Sequence, residues 1–232
     1  MTTHTDKTYE AELRGLREKL LEMGGLVERA MATSVRAIAE RDSAAAEAAK
    51  AGDREINRME VDIDGLCRRI LALRQPAASD LRFITTALKI VVDLERMGDL
   101  AVNVAERALD LNQAPPLGPM HDLSKIAALA EAQLEKALDA FVTGDVAKAD
   151  EVMHGDELID ALYLKIFNDM LTRMMEDPRS IRRATAVMFA AKHLERFADH
   201  AVNLGEMVVY MVRGKDVRHP RSRAPDATTG ES

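Results

Sequence analysis

The stretch DLERMGDLAVNVAE at residues 93–106 returns as HLERFADHAVNLGE at residues 193–206, one hundred residues later. Eight of the fourteen positions are identical, whereas unrelated segments of ordinary composition would share about one. A repeat of this kind marks two copies of one structural unit. Half of the identical residues are acidic or amide-bearing, and these stand at helical spacing. The sequence therefore predicts a duplicated site on a duplicated scaffold.

The composition favours packed helices. Hydrophobic residues make up 47% of the 232 residues and aromatic residues only 3%, with no tryptophan, which suits helices better than sheets. We expect an all-α fold of six long helices, arranged as two tandem three-helix bundles related by an internal pseudo-twofold repeat. Residues 1–112 would form the first repeat, 113–119 a proline-rich linker, 120–214 the second repeat and 215–232 a disordered tail.

Helix signals recur in the same order in the two halves. Asp42 and Asp145 are predicted N-caps of the second and fifth helices. Pro76 and Pro178 are predicted to open the third and sixth helices, because a first-turn proline gives up only an N–H that would have no partner. The fifth helix is expected to run without interruption from its cap at Asp145 to Asp177, which is the predicted N-cap of the sixth helix.

The first helix carries an apolar seam that two glycines interrupt. Its bundle-facing residues step by three and four along the chain, as on one face of a helix. Gly24-Gly25 falls inside this pattern, where glycine weakens a helix, and predicts a bend or a close helix contact. The seam consists of Leu13, Leu16, Leu20, Met23, Val27, Ala30 and Ser34.

Charge and cysteine content exclude several classes of protein. A net charge of −7 argues against nonspecific binding to nucleic acid and to an anionic membrane surface. No apolar run is long enough to insert into a membrane. The single cysteine, Cys67, permits no intrachain disulfide, and its apolar helical surroundings predict a buried thiol. A reducing cytoplasm is the expected location.

One face of the third helix is acidic. At 100° per residue, Glu95, Asp99, Asn103 and Glu106 share a side of the helix, and their counterparts in the sixth helix do the same. Carboxylates four residues apart are close enough to share a cation. A solvated polar face would show this spacing as well, so the spacing alone leaves both interpretations open.

The preceding helix brings further polar groups to the same level. The second and third helices form a hairpin about Pro76, which places Asp53 beside Asp99 and Asn57 beside Glu95. Four such groups would repel one another unless a proton or a cation neutralises them, and oxygen ligands favour hard cations such as Mg²⁺, Mn²⁺ or iron. The corresponding set in the second half is Asp156, Asp160, Glu195 and Asp199.

These motifs resemble those of the PhoU family of phosphate-signalling regulators. The resemblance is carried by the Glu95–Asp99 and Glu195–Asp199 segments, the Asp156-x-x-x-Asp160 motif and the Arg74-Gln75-Pro76…Asp80-Leu81-Arg82 signature. It covers about residues 8–214. It implies a cytoplasmic protein of two three-helix bundles, often a homodimer, with iron or zinc clusters at Glu/Asp-x-x-x-Asp motifs. Asn57 departs from the usual aspartate, which implies a weaker first site.

The resemblance also implies partners and a role. A member of this family would link the ATPase subunit of the phosphate ABC importer to the sensor histidine kinase of the phosphate response. It would keep phosphate-starvation genes off when phosphate is plentiful. This is negative regulation of a two-component system by an adaptor, and it requires no turnover.

Two other function classes remain in view. A dimetal carboxylate oxidoreductase of the ferritin type uses two Glu-x-x-His pairs, and this chain has only Glu151-x-x-His154. A purely structural helical scaffold would explain the apolar seams but not the duplicated polar stripes. His193 and His200 flank the second motif without counterparts in the first, so surface histidines are favoured over ligands. No catalytic nucleophile motif is present, and we expect a regulator rather than an enzyme.

Overall fold

The computed structural model describes residues 3–118 and 120–214, and the predicted tail at 215–232 lies outside the described residues. Within the described ranges the chain forms α-helices and a single 3-10 turn, without a β-strand. The all-α fold predicted from the sequence is confirmed. The helices are α1 Thr3–Ala39, α2 Ser43–Arg74, α3 Ala78–Asn112, α4 His121–Thr143, α5 Val146–Met153, α6 Glu157–Glu176 and α7 Ile181–Arg213.

The predicted aspartate caps are present in both halves. The Asp42 carboxylate accepts a hydrogen bond from the backbone N–H of Ala45 at 3.0 Å. The Asp145 carboxylate accepts from the N–H groups of Ala147 at 2.9 Å and Lys148 at 3.1 Å. Each cap satisfies N–H groups that have no partner inside the first helical turn, which explains why both helices begin there.

The third helix begins later than predicted. Gln75 adopts a left-handed conformation with φ 47° as the C-cap of α2, and Ala77 is extended with φ −67° and ψ 166°. The turn therefore takes three residues, and α3 starts at Ala78 rather than at Pro76. Pro178 stands closer to its predicted role, because it opens the 3-10 turn Pro178–Ser180 that leads directly into α7.

The fifth predicted helix is divided in two, contrary to the expectation of one continuous helix. It stops at Met153 and resumes at Glu157. A Cβ atom built on Gly155 would lie 3.1 Å from both Gln133 Nε2 and the Glu151 carbonyl oxygen. The chain thus passes close against α4 at this point. The contact with Gln133 joins residues distant in the sequence, so the local sequence does not specify it.

The first unit comprises α1, α2 and α3, and the second comprises α4, α5 with α6, and α7. The two units pack through α3 on α7 and α1 on α4. Helices α3 and α7 run antiparallel, because Asp93 meets His200 while Arg82, eleven residues earlier, meets Met211, eleven residues later. The units also share one apolar core, in which the rings of Phe83 and Phe141 stack with centroids 5.1 Å apart.

The glycine pair in α1 marks the predicted close helix contact. A Cβ atom on Gly24 would collide with Leu138 Cδ1 of α4, so the missing side chain lets the two helices approach. Cys67 is buried as predicted, and burial raises the pKa of its thiol to about 12. No helix within the described residues is both long and apolar enough to cross a membrane.

Candidate metal centres

The first carboxylate cluster lies between α2 and α3. Asp53 is half-buried in α2, and its pKa is raised, first by burial and then by the nearby charge of Asp99. Asn57 Nδ2 donates a hydrogen bond to Asp53 Oδ2 at 2.9 Å, which opposes the rise. The hairpin therefore brings Asp53 to Asp99 as the sequence predicted, and Asn57 serves as a donor to Asp53.

Glu95 completes this cluster together with a residue that the sequence analysis missed. The pKa of Glu95 is raised first by burial and then by Asp99, Glu60 and Asp53, while Arg96 opposes the rise. Glu60 stands seven residues after Asp53 in α2, so helical periodicity places both on one face. That spacing was the available signal for including Glu60.

One oxygen of the first cluster is buried without a hydrogen bond. Asp53 Oδ1 has no hydrogen-bond partner among the described residues. A Cβ atom on Gly98 would lie 3.4 Å from this oxygen and 3.1 Å from Ile56 Cγ2, so the glycine lets α2 approach α3 here. A buried carboxylate oxygen without a donor is costly unless it gains a proton or a cation.

The second cluster repeats the arrangement between α6 and α7. The pKa of Asp160 is raised by burial, then by Asp156 and Glu195. The pKa of Asp199 is raised by partial loss of hydration and by Glu195, and Lys192 opposes both shifts. Asp156 takes its place at the N-cap of α6, directly after the helix break. Each of the four predicted acidic residues of this half therefore interacts with at least one of the others.

A lysine distinguishes the second cluster from the first. Lys192 Nζ lies 2.6 Å from Glu195 Oε2 and 5.2 Å from the centroid of the Tyr163 ring. The equivalent position in the first half is Val92, so the first cluster lacks this lysine. Lys192 partly neutralises the second cluster while Glu60 adds charge to the first. These two differences oppose the expectation that Asn57 makes the first site the weaker one.

The clusters are open rather than preformed cages. The structure places all eight predicted residues in two groups, one in each half. Within the part of the chain that it describes, no group of three or more His, Cys, Asp or Glu side chains is arranged to hold a metal ion. The donor chemistry suits a hard cation, since every predicted ligand offers oxygen. The side chains would have to rotate before they could share one ion.

The two histidines beside the second motif are not surface residues, contrary to expectation. Both are half-buried. His200 Nδ1 lies 2.8 Å from Asp93 Oδ1, whereas His193 Nδ1 is buried without a hydrogen-bond partner among the described residues. Burial, followed by Arg196, lowers the pKa of His193. Packing of α7 on α3 explains this burial, which a helical wheel of α7 alone does not show.

Comparison with known proteins supports the duplicated architecture. The family sequence model of the PhoU domain matches residues 20–108 and 123–208. The chain is 45% identical over 221 residues to the phosphate-specific transport system accessory protein PhoU homolog of Pseudomonas putida. That alignment covers 94% of this chain and 86% of the relative. Each match to the domain contains one of the two carboxylate motifs of α3 and α7.

Solved structures show the same fold. The crystal structure of PhoU from Pseudomonas aeruginosa superposes with a TM-score of 0.84 at 42% identity, covering 89% of this chain and 100% of that one. The crystal structure of the phosphate transport system regulatory protein PhoU from Streptococcus pneumoniae gives a TM-score of 0.83 at 32% identity, covering 90% and 99%. With two domain matches across most of its length and this agreement in fold, the chain belongs to the PhoU family.

Proposed function

We propose that this protein is a negative regulator of phosphate-starvation signalling and of the phosphate importer. It would act by binding, through contacts with the ATPase subunit of the importer and with the sensor histidine kinase. The observation that carries the proposal is the match of both halves to the PhoU domain. Relatives that align over nearly the whole chain are named as accessory proteins of phosphate-specific transport.

We also propose that the two carboxylate clusters bind metal ions, with iron, zinc, Mg²⁺ or Mn²⁺ as candidates. Asp53, Asn57, Glu95 and Asp99 would supply the ligands in the first half. The raised pKa values of Asp53 and Glu95 support this, because a cation would relieve the repulsion that raises them. The ligands of the second half would be Asp156, Asp160, Glu195 and Asp199.

Metal binding would act on the helices that carry the ligands. An ion shared by α2 and α3, or by α6 and α7, would hold each hairpin together and stabilise the folded state. It would also reverse the local charge on a face of a protein whose net charge is −7. Both effects would change the surface that a partner meets, and the proposed regulation needs no chemical turnover.

Exposed apolar side chains on α6 support contact with a partner, which includes a second copy in a homodimer. Leu164 is 57% exposed, Leu171 40% and Met175 77%. They stand seven and four residues apart, so they share one side of the helix. A specific interface buries about 800 Å² per partner, and exposed Leu and Met side chains provide adaptable area for it.

The structure gives no support to the alternative function as a dimetal carboxylate oxidoreductase. Glu151 forms an ion pair with Lys136 at 2.8 Å, and His154 Nδ1 lies 2.7 Å from the carbonyl oxygen of Asp150. These contacts engage the single Glu-x-x-His pair with neighbouring surface groups. Neither residue belongs to the carboxylate clusters of α6 and α7.

Reporter expression in a deletion strain grown in high phosphate tests the proposed function. The deletion should switch on phosphate-starvation genes, and the wild-type protein should restore repression. The double variant Glu195→Gln with Asp199→Asn should restore it less well if the second metal site matters. Asp169→Asn with Glu176→Gln removes the same charges from exposed positions of α6 and is the matched control.

The outcomes separate regulation from metal binding. Normal repression in the deletion strain would overturn the regulatory proposal. Full rescue by the Glu195/Asp199 variant would retain the regulator and remove the metal from its action. Elemental analysis of both variants, purified without chelator, shows whether the carboxylates bind metal independently of the reporter.

A further inference from the structure

An arginine-lined cavity of about 370 Å³ lies where the start of α7 meets the end of α3. Arg182, Arg183 and Thr185 line it from α7, and Arg107, Asp110 and Gln113 line it from α3 and its C-cap. None of these residues belongs to the carboxylate clusters. The cavity therefore presents a separate site with the opposite local charge.

The internal repeat shows that Arg182 has lost a structural partner. Its counterpart one hundred residues earlier, Arg82, donates from Nε to the carbonyl oxygen of Met211 at 2.9 Å. The counterpart of Met211 is Leu111, whose carbonyl already accepts from the N–H groups of Gln113 and Ala114 as α3 ends. The Arg182 side chain consequently forms no hydrogen bond or ion pair within the described part of the chain.

Thr185, like Arg182, lacks the hydrogen bond that its counterpart in the first half makes. The Thr85 hydroxyl donates to the carbonyl oxygen of Leu81, at 2.8 Å, within its own helix. Its counterpart Thr185 makes no corresponding bond among the residues that the structure describes, and it lines the cavity. Two donors that serve the backbone in the first half are thus available to a ligand in the second half.

The charges on the cavity wall are incompletely neutralised. Arg107 pairs with Asp110 at 3.0 Å and with Glu106 at 3.6 Å. Arg183 Nη1 donates at 2.8 Å to the carbonyl oxygen of Pro115, which is a neutral group. The lining therefore carries three guanidinium groups and one carboxylate. Guanidinium groups match phosphoryl and carboxylate oxygens with paired hydrogen bonds.

An aromatic ring adds an apolar wall to this site. Phe189 lines the cavity and is 50% exposed. The volume falls within the range of about 300 to 1,000 Å³ that small-ligand sites occupy. We propose that the cavity binds a small phosphoryl-bearing anion with a planar ring, which is the chemistry of a nucleotide. Arg182, Arg183 and the Thr185 hydroxyl would hold the phosphoryl group, and Phe189 would contact the ring.

Calorimetric titration of the full chain with adenosine monophosphate, inorganic phosphate and adenosine tests this inference. The nucleotide should bind saturably, and phosphate and adenosine should each bind more weakly because each offers half of the contacts. Arg182→Ala should weaken nucleotide binding about tenfold or more, the loss expected for a charge-assisted hydrogen bond. Phe189→Ala should weaken nucleotide binding and leave phosphate binding unchanged.

Arg179→Ala is the matched control, because Arg179 lies outside the cavity lining, is exposed and pairs with Asp177 on the surface. It should leave binding unchanged, and circular dichroism should show all three variants folded. The proposal is overturned if no ligand binds at millimolar concentration, or if Arg179→Ala weakens binding as much as Arg182→Ala. Equal affinity for phosphate and nucleotide would overturn the assignment of Phe189 to the ring. The inference is independent of the proposed regulatory function.

Discussion

His200 Nδ1 lies 2.8 Å from Asp93 Oδ1 and so joins α7 to α3 across the contact between the two halves. The His200 side chain is 13% exposed and that of Asp93 is 7% exposed. The repeat places His193 opposite Leu100 at the symmetry-related position, where this pair cannot form. The interaction therefore breaks the pseudo-twofold symmetry and favours a single register of the two halves.

Breaking this pair should destabilise the protein. Asp93→Ala and His200→Ala should each lower the free energy of unfolding by about 2 kcal/mol, because each leaves a nearly buried polar group without its hydrogen-bond partner. The double variant should lose less than the sum of the two. Urea unfolding of the four proteins measures the coupling. Strictly additive losses would mean that the two side chains do not interact in solution.

Glu131 should make stability fall as the pH rises. Burial and the nearby Glu28 raise the pKa of Glu131 to about 7. A carboxyl group with a raised pKa in the folded state stabilises that state while it is protonated. This stabilisation is full below the unfolded pKa of about 4.5 and is lost as the pH rises to about 7.

Glu131→Gln should remove this dependence. The variant should gain on the order of 1 kcal/mol over the wild type between about pH 5 and pH 8, since glutamine cannot ionise. Urea unfolding at both pH values measures the difference. Glu47→Gln is the control, because Glu47 is exposed on α2, and its profile should follow the wild type. A pH-independent difference between Glu131→Gln and the wild type would contradict this assignment.

A side chain at Gly24 should destabilise the contact of α1 with α4, because the nearly buried Leu138 side chain would have to shift. Gly24→Ala brings a methyl group against Leu138 Cδ1, and overpacking of this kind costs about 1–3 kcal/mol. Gly52→Ala is the control, since no atom lies within 4 Å of the added Cβ. That variant should gain about 0.5–1 kcal/mol from its better helix propensity. Thermal unfolding distinguishes the two, and similar shifts for both would contradict the predicted collision.

Lys192 should compete with a cation for the second carboxylate cluster. Lys192→Met removes the ammonium group that lies 2.6 Å from Glu195 Oε2. It should strengthen Mn²⁺ binding about tenfold, because more negative charge remains for the ion. Electron paramagnetic resonance of free Mn²⁺ measures the affinity. Lys165→Met removes a lysine that pairs with Asp122 and Asp169 instead and should leave the affinity unchanged.

Absence of Mn²⁺ binding in both the wild type and Lys192→Met would remove this ion as a ligand of the second cluster. Equal affinity in the two proteins would show that Lys192 does not compete with the ion. The first cluster has Val92 at the equivalent position and is unaffected by either variant.

The sequence alone predicted the helices wherever short-range interactions determine them. Asp42 and Asp145 cap their helices through N–H groups two or three residues away. Gly144 and Gly214 end α4 and α7 with φ values of 68° and 67°, which glycine adopts without strain. These signals lie within one helical turn of the boundary, so they can be read without knowing the fold.

Much of each carboxylate cluster was also predictable from the sequence, because residues at equal distances from the turn of a helical hairpin lie at the same level. It brought Asp53 to Asp99 and Asp160 to Glu195, whose mutual charges raise pKa values in both clusters. Glu60 and Lys192 lay at helical spacing from predicted residues and were missed.

Only the tertiary structure decided the break between α5 and α6, the pairing of Asp93 with His200 and the position of the arginine-lined cavity. Each depends on residues far apart in the chain. Gly155 lies against Gln133 of α4. Arg182 lines a cavity because backbone N–H groups at the end of α3 already donate to the Leu111 carbonyl oxygen. Helical periodicity specifies which face of a helix is apolar, but the packing of two such faces determines which polar groups become buried, paired or free.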